Sequence, residues 1–191
     1  MIDVALILLR DRLNAYFSAQ FEVSEDLVVM APLNDAEGNP TAETRNRLAI
    51  FVTIIVEEKT PRGAARGIHT ALASMQPLHL DVYFMLASGH DPEIYGEGIK
   101  LISKALMFFQ ATPLLTPQNT PEMPIGIDQF SVEVANLRVE EVGQLWGNMG
   151  GRYVPSVMCK MRLVLIDAAA TAQVLPLAVE PTAALRPEPG G

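Results

Sequence analysis

The stretch Arg47-Leu48-Ala49-Ile50-Phe51-Val52-Thr53-Ile54-Ile55-Val56-Glu57 decides the fold. It is dense in side chains branched at Cβ, which are stiff at χ1 and favour extended backbone. Its apolar run, residues 48–56, is nine residues long and includes Thr53. A membrane-spanning helix needs about 20, so the run is a strand. Alternation sets Leu48, Ile50, Val52, Ile54 and Val56 on one side and Ala49, Phe51 and Ile55 on the other. With both faces apolar, the pattern predicts a strand in the middle of a sheet covered on both sides.

Upstream, Ile2, Leu6, Leu9, Leu13 and Tyr16 recur at helical spacing, with Asp3, Arg10 and Asn14 on the opposite stripe. That predicts a helix over residues 2–18. A short strand at 27–31 ends at Pro32, and residues 34–47 form a polar turn or loop. Downstream, 58–77 is a break, followed by a second strand at 78–86. Leu78, Leu80, Val82, Phe84 and Leu86 share one face of it, and His79, Asp81, Tyr83 and Met85 the other. Residues 93–111 read as a helix buried along Ile99, Ile102, Leu106 and Phe109 and widened by Leu101, Ala105 and Phe108. Glu97, Lys100 and Lys104 lie on its wet side. Pro113, Pro117, Pro121 and Pro124 then exclude helix and inner strand.

A third strand at 128–136 points Phe130, Val132 and Val134 inward. A short helix at 139–147 holds the only tryptophan. The last strand, 156–167, gathers Val157, Cys159, Met161, Leu163 and Leu165 on one face and Lys160 and Arg162 on the other. The order predicts an α+β fold: a mixed or antiparallel sheet of about four to six strands packed by two main helices. Residues 1–169 form the domain. Residues 170–191, rich in alanine and proline but still carrying Val174, Leu175, Leu177, Val179 and Leu185, read as a C-terminal tail that orders against a neighbour.

Composition bounds the function. Of 191 residues, 49% are hydrophobic and only 19% charged, and the mean hydropathy is +0.22. With no spanning segment and no signal peptide read at the N-terminus, the surplus apolar surface points to burial against other proteins. The net charge of −8 argues against a nucleic-acid binder, which needs a basic face. A single cysteine, Cys159, excludes an intrachain disulfide and any multi-cysteine metal site.

Catalytic constellations are weak. His79 and Asp81 share a strand face, the nearest approach to a base and its orienting carboxylate, but alternation produces such pairs freely. Cys159 lies on an apolar strand face, where a thiol is a small hydrophobe. Arg62-Gly63-Ala64-Ala65-Arg66-Gly67 offers flexible backbone and two cations without the ending of a phosphate loop. It reads as a loop that docks on an acidic partner surface or on nothing. Glu57-Glu58 has no companion ligand at metal spacing. No catalytic, cofactor or metal residue is assigned.

Several segments taken together resemble the cap proteins of extracellular contractile injection systems, whose main domain was long of unknown function. They are Met1-Ile2-Asp3 with Leu13-Asn14; Ile54-Ile55-Val56-Glu57-Glu58; Leu80-Asp81-Val82-Tyr83-Phe84-Met85; and Tyr95 followed by residues 101–110. Further along come Glu140-Glu141 with Leu145-Trp146, and residues 153–162, starting at Tyr153-Val154-Pro155. The likeness spans roughly residues 1–167; residues 59–77 depart from it in being richer in Gly, Ala and Arg. It implies a tail-terminator-like fold and a ring, expected to be a homohexamer, on the end of the inner tube and sheath opposite the baseplate. The partners implied are other copies of the chain, the inner tube protein and the sheath protein, with no nucleic acid, membrane insertion or cofactor. Synthesis is then cytoplasmic, and the phage-tail-like particle is either released or kept in the cell. Candidate interface residues are Trp146, Tyr153, Arg62, Arg66, Val174, Leu175 and Leu177. The rival readings are a phage tail terminator, an adaptor of another assembly, or a small enzyme built on His79 and Asp81.

Overall fold

The computed structural model describes residues 1–35, 37–58, 78–127, 129–150 and 153–166. Three helices, α1 (Ile2–Phe21), α2 (Tyr95–Ala111) and α3 (Val139–Asn148), pack on six strands. These are β1 (Val28–Met30), β2 (Leu48–Glu57), β3 (Leu78–Ser88), β4 (Leu114–Leu115), β5 (Phe130–Val134) and β6 (Ser156–Ile166). The sheet runs β1-β2-β3-β6-β5-β4. β1 pairs parallel with β2, and every other pairing is antiparallel. The α+β reading with a mixed sheet holds.

One face of the sheet meets α1 and α2. Leu9, Leu13 and Phe17 of α1 and Ala105, Phe108 and Phe109 of α2 enclose Leu48, Ile50, Val82, Phe84, Phe130 and Met161. The opposite face is covered for part of its length by α3, where Trp146 packs with Met85, Ala87 and Met158. α1 ends where Glu22 turns left-handed (φ 54°) and its N–H bonds back to Ser18. Asn14, expected on the wet stripe, turns instead to the sheet. Its Nδ2 donates to the Val28 carbonyl at 2.9 Å, and its Oδ1 accepts from the Val28 N–H at 2.8 Å. The side-chain amide thus acts as one rung of a strand on the outer edge of β1.

Three further sequence expectations change. In α2 the buried stripe is Gly98, Leu101, Ile102, Ala105, Phe108 and Phe109, while Ile99 is exposed and Leu106 only half-buried. Gly98 sets that rotation: a Cβ there would collide with Ser88 Oγ and press on the His90 ring. Val134 is exposed rather than inward. In β2 the strict alternation fails. Val52 stands opposite Phe84 but Ile54 stands opposite Tyr83, so a bulge at Thr53 reverses the sides beyond it. Ile55 therefore shares the face of Val82, and Ile54 and Val56 share that of Tyr83 and Asp81. β3 and β6 also shift register, between Leu80 and Asp81.

Candidate functional site

The bulge produces a surface. β1 covers β2 only at Leu48, Ala49 and Ile50, which are fully buried. Among the described residues, nothing pairs with the outer edge of β2 beyond Ile50. Along this length the side chains open outward: Val52 is 39%, Ile54 54%, Ile55 49% and Val56 42% exposed. Past the reversal at Thr53, Ile55 lies on one face of the edge and Ile54 and Val56 on the other, so both faces stay apolar. Thr53 itself is held by its hydroxyl, which donates to the Tyr83 carbonyl at 3.2 Å. An unpaired apolar strand edge is a template for another chain unless something guards it.

Next to this edge, the part of the α3-bearing face that α3 leaves uncovered carries four charged groups from three strands. Lys160 Nζ lies 2.8 Å from Glu133 and 3.8 Å from Asp81; Arg162 lies 3.9 Å from Asp81 and 3.8 Å from Glu133. The Lys160 hydrogen bond holds the Glu133 carboxyl below its ordinary range, against the effect of burial. For Lys160, burial opposes the charge, but the bond to Glu133 and the nearby carboxylates outweigh it and raise its pKa. Tyr83 flanks the group, its ring 5.9 Å from Lys160 Nζ.

Asp81 faces these cations at 3.8 and 3.9 Å, and His79 Nδ1 has no hydrogen-bond partner among the described residues. Cys159 is fully buried, and burial pushes its thiol up to about 12, which leaves it protonated and unreactive. His90, which sequence reasoning did not single out, bonds Ser88 Oγ through Nδ1 at 2.9 Å, and burial lowers its pKa. Its ring also packs against Gly98. Among the described residues no three His, Cys, Asp or Glu side chains group as metal ligands. Nor is any helix among them long and apolar enough to cross a membrane.

Of the interface residues expected from sequence, Trp146 is 4% exposed and Tyr153 65% exposed, with rings edge to face at 5.6 Å. Trp146 is thus the buried support and Tyr153 the surface ring. The Trp146 indole N–H is buried without a partner among the described residues. Tyr153 lines a groove of about 280 Å³ with Val134, Leu137, Val142 and Met158. Arg62, Arg66, Val174, Leu175 and Leu177 lie outside the described residues. The β2 edge was missed because its alternation hid the bulge; Thr53, the lone polar residue in the run, was the available signal.

No curated protein matches the sequence. Among solved structures the fold is similar to the cryo-EM structure of the anti-feeding prophage cap (AFP tube terminating cap). The identity is 15% and the TM-score 0.51, over 98% of this chain and 61% of that one. It is also similar to the PVC sheath/tube terminator of an extracellular contractile injection system in the extended state. There the identity is 16% and the TM-score 0.50, over 97% of this chain and 63% of that one. The chain therefore spans about three fifths of the length of both structures, and at these identities the likeness is one of fold. The Pvc16 N-terminal domain family matches residues 7–180, nearly the whole sequence, and the chain belongs to that family.

Proposed function

We propose that this chain is a structural cap, or tail terminator, of a contractile injection system and not an enzyme. Its copies form a homohexameric ring on the end of the inner tube and sheath opposite the baseplate. The ring stops growth of both and holds the sheath extended. The observation that carries the reading is the family match over residues 7–180, and the printed roles of the two similar structures, a tube-terminating cap and a sheath/tube terminator, agree with it.

The surface chemistry supports the same reading. A cyclic ring needs one patch to meet a different patch, and stable contacts bury on the order of 1,600 Å². Val52, Ile54, Ile55 and Val56 are each part-exposed, and completing their burial is worth roughly 1 kcal/mol apiece. Tyr153 over Trp146 gives a second, aromatic patch, the residue type favoured at binding hot spots. Arg62 and Arg66 are proposed for an acidic partner surface. Residues 1–169 are the capping module and 170–191 its arm, with Val174, Leu175 and Leu177 as the arm's apolar contacts. The assembled particle, cytoplasmic in origin, is either released or retained.

The test is to image particles from cells lacking this chain. Overlong or unsheathed tubes are expected; particles of normal length and sheathing would overturn the cap reading. Light scattering of the purified chain adds the stoichiometry, with six copies per ring expected.

A further inference from the structure

We infer that His90 is an acid-sensitive latch: its neutral ring holds the first turn of α2 against the end of β3, and protonation lets that turn open. The inference stands on the packing of described residues and does not rest on the cap reading. β3 ends at Ser88, and Gly89, His90 and Asp91 then pass between two neighbours. On one side the chain is pinned by hydrogen bonds. The Gly89 N–H donates to the Arg47 carbonyl and the Asn46 N–H to the Gly89 carbonyl, each at 2.9 Å. The Asp91 N–H donates to Asn46 Oδ1 at 3.0 Å. On the other side the chain is packed against α2. A Cβ on Gly98 would strike Ser88 Oγ and stand 3.1 Å from His90 Nδ1. The first turn of α2 therefore rests on the Ser88–His90 hydrogen bond itself, too close for a water to enter between.

That bond depends on where the proton is. Ser88 is buried, and its Oγ lies 2.9 Å from His90 Nδ1 while accepting the His90 backbone N–H at 3.4 Å. With Oγ accepting there, its own hydrogen points to Nδ1, which requires a neutral ring protonated at Nε2. A proton on Nδ1 sets a second donor against that oxygen and takes away the acceptor of the buried hydroxyl. The surroundings also oppose the charge. The end of α2 that faces the ring is the positive end of the helix dipole. The α1 side of the cavity that His90 lines contributes the apolar Phe21, Val23 and Leu27. Burial lowers the His90 pKa, outweighing the Glu97 and Asp91 carboxylates that favour the imidazolium. Both carboxylates are engaged elsewhere, Glu97 by Lys100 at 3.4 Å and Asp91 by Arg45 at 2.9 Å. Opening returns the ring to water, so the open form takes up the proton first. The closed form is then at full strength above the ordinary imidazole value of about 6.5. It weakens as pH falls below that value toward the lower folded one.

Hydrogen–deuterium exchange with mass spectrometry tests this on the full chain, about 1 pH unit above and about 1 below 6.5. Each rate is divided by the intrinsic amide rate at its pH. Protection of residues 95–101 is expected to fall by about threefold or more on the acid side. His90→Asn keeps an acceptor for the Ser88 hydroxyl and does not titrate in this range, so its protection is expected to be the same at both. Equal falls in wild type and His90→Asn, or no fall in wild type, overturn the inference. NMR titration of the wild-type imidazole decides the matter even if the variant does not fold. The ring is expected as the Nε2–H tautomer with a pKa below about 6.5; an Nδ1–H tautomer, or a value at or above that, overturns the latch. Neither experiment reads tube termination, so the cap reading fails or survives separately.

Discussion

The two halves of β2 are built from the same kinds of residue and have opposite fates. Leu48, Ala49 and Ile50 are fully buried, with β1 alongside; Val52, Ile54, Ile55 and Val56 are 39–54% exposed. Nothing in composition separates Ile50 from Ile54. The difference is what stands beside them: three residues of β1, with Val28 held by Asn14, against an edge left open among the described residues. Burial is a property of the neighbours, and an apolar strand that outruns its neighbours is a surface meant for covering.

The contrast is broken most sharply by giving both halves the same truncation. Ile50→Ala opens a cavity in the main core and is expected to cost about 2–5 kcal/mol in urea melts. Ile54→Ala is expected to cost less than about 1 kcal/mol. Equal losses would mean that the second half is already buried in the isolated chain. Next in size is Asn14→Ala, which strips the paired hydrogen bonds from Val28. Leaving that fully buried residue's amide and carbonyl without their partner is expected to cost about 1–3 kcal/mol. It should also turn β1 into an open edge like that of β2, read as faster exchange at residues 28–30.

Smaller still is the ionic group beside the open half. The folded pKa of Glu133 is depressed, so its contribution is present above the unfolded value of about 4.3 and is lost as pH falls through the lower folded value. That of Lys160 is raised, so its contribution is present below about 10.4 and is lost as pH rises through the higher folded value. Because Glu133 is 47% exposed, solvent screening holds the effect of Glu133→Gln to about 1 kcal/mol or less at neutral pH. The acid limb of the stability curve should flatten in the variant, and an unchanged limb would place the acid sensitivity elsewhere.

What the sequence made legible follows the same division. Strands and helices whose apolar positions had one interpretation were found: Leu9 and Leu13 in α1, Val82, Phe84 and Leu86 in β3, Cys159 and Met161 in β6 all face the core. The errors fell where apolar residues occupied several directions at once. In α2, Ile99, Leu101, Ile102, Leu106 and Phe108 surround the axis, and the rotation is fixed by Gly98 against Ser88 and His90, a contact between distant residues. In β2 a run apolar on both sides marks its bulge only by the lone polar Thr53, so sides assigned by period two invert past it. Asn14 was read as solvated because its task, closing an edge fourteen residues away, is invisible to helical periodicity. Trp146 and Tyr153 were both read as interface residues, but which of them faces outward is decided by α3 packing on Met85 and Met158.

The smallest effect on the fold is also the most informative about the surface. Ile54→Lys places a charge where the wild-type side chain is 54% exposed, and a lysine there extends its ammonium into water while its stem lies along the strand. Stability is therefore expected to stay within about 0.5 kcal/mol of wild type. A charged edge residue is also the device by which proteins prevent strands from pairing with other chains. If the apolar half of β2 lies in the subunit contacts, the substitution leaves a folded chain whose ring dissociates at concentrations where wild type holds together, measured by light scattering on dilution. Ile50→Lys cannot serve for this, because a charge at a fully buried position unfolds the core. A folded Ile54→Lys chain with rings as stable as wild type would remove the β2 surface from the assembly and leave Tyr153 as the remaining described interface residue.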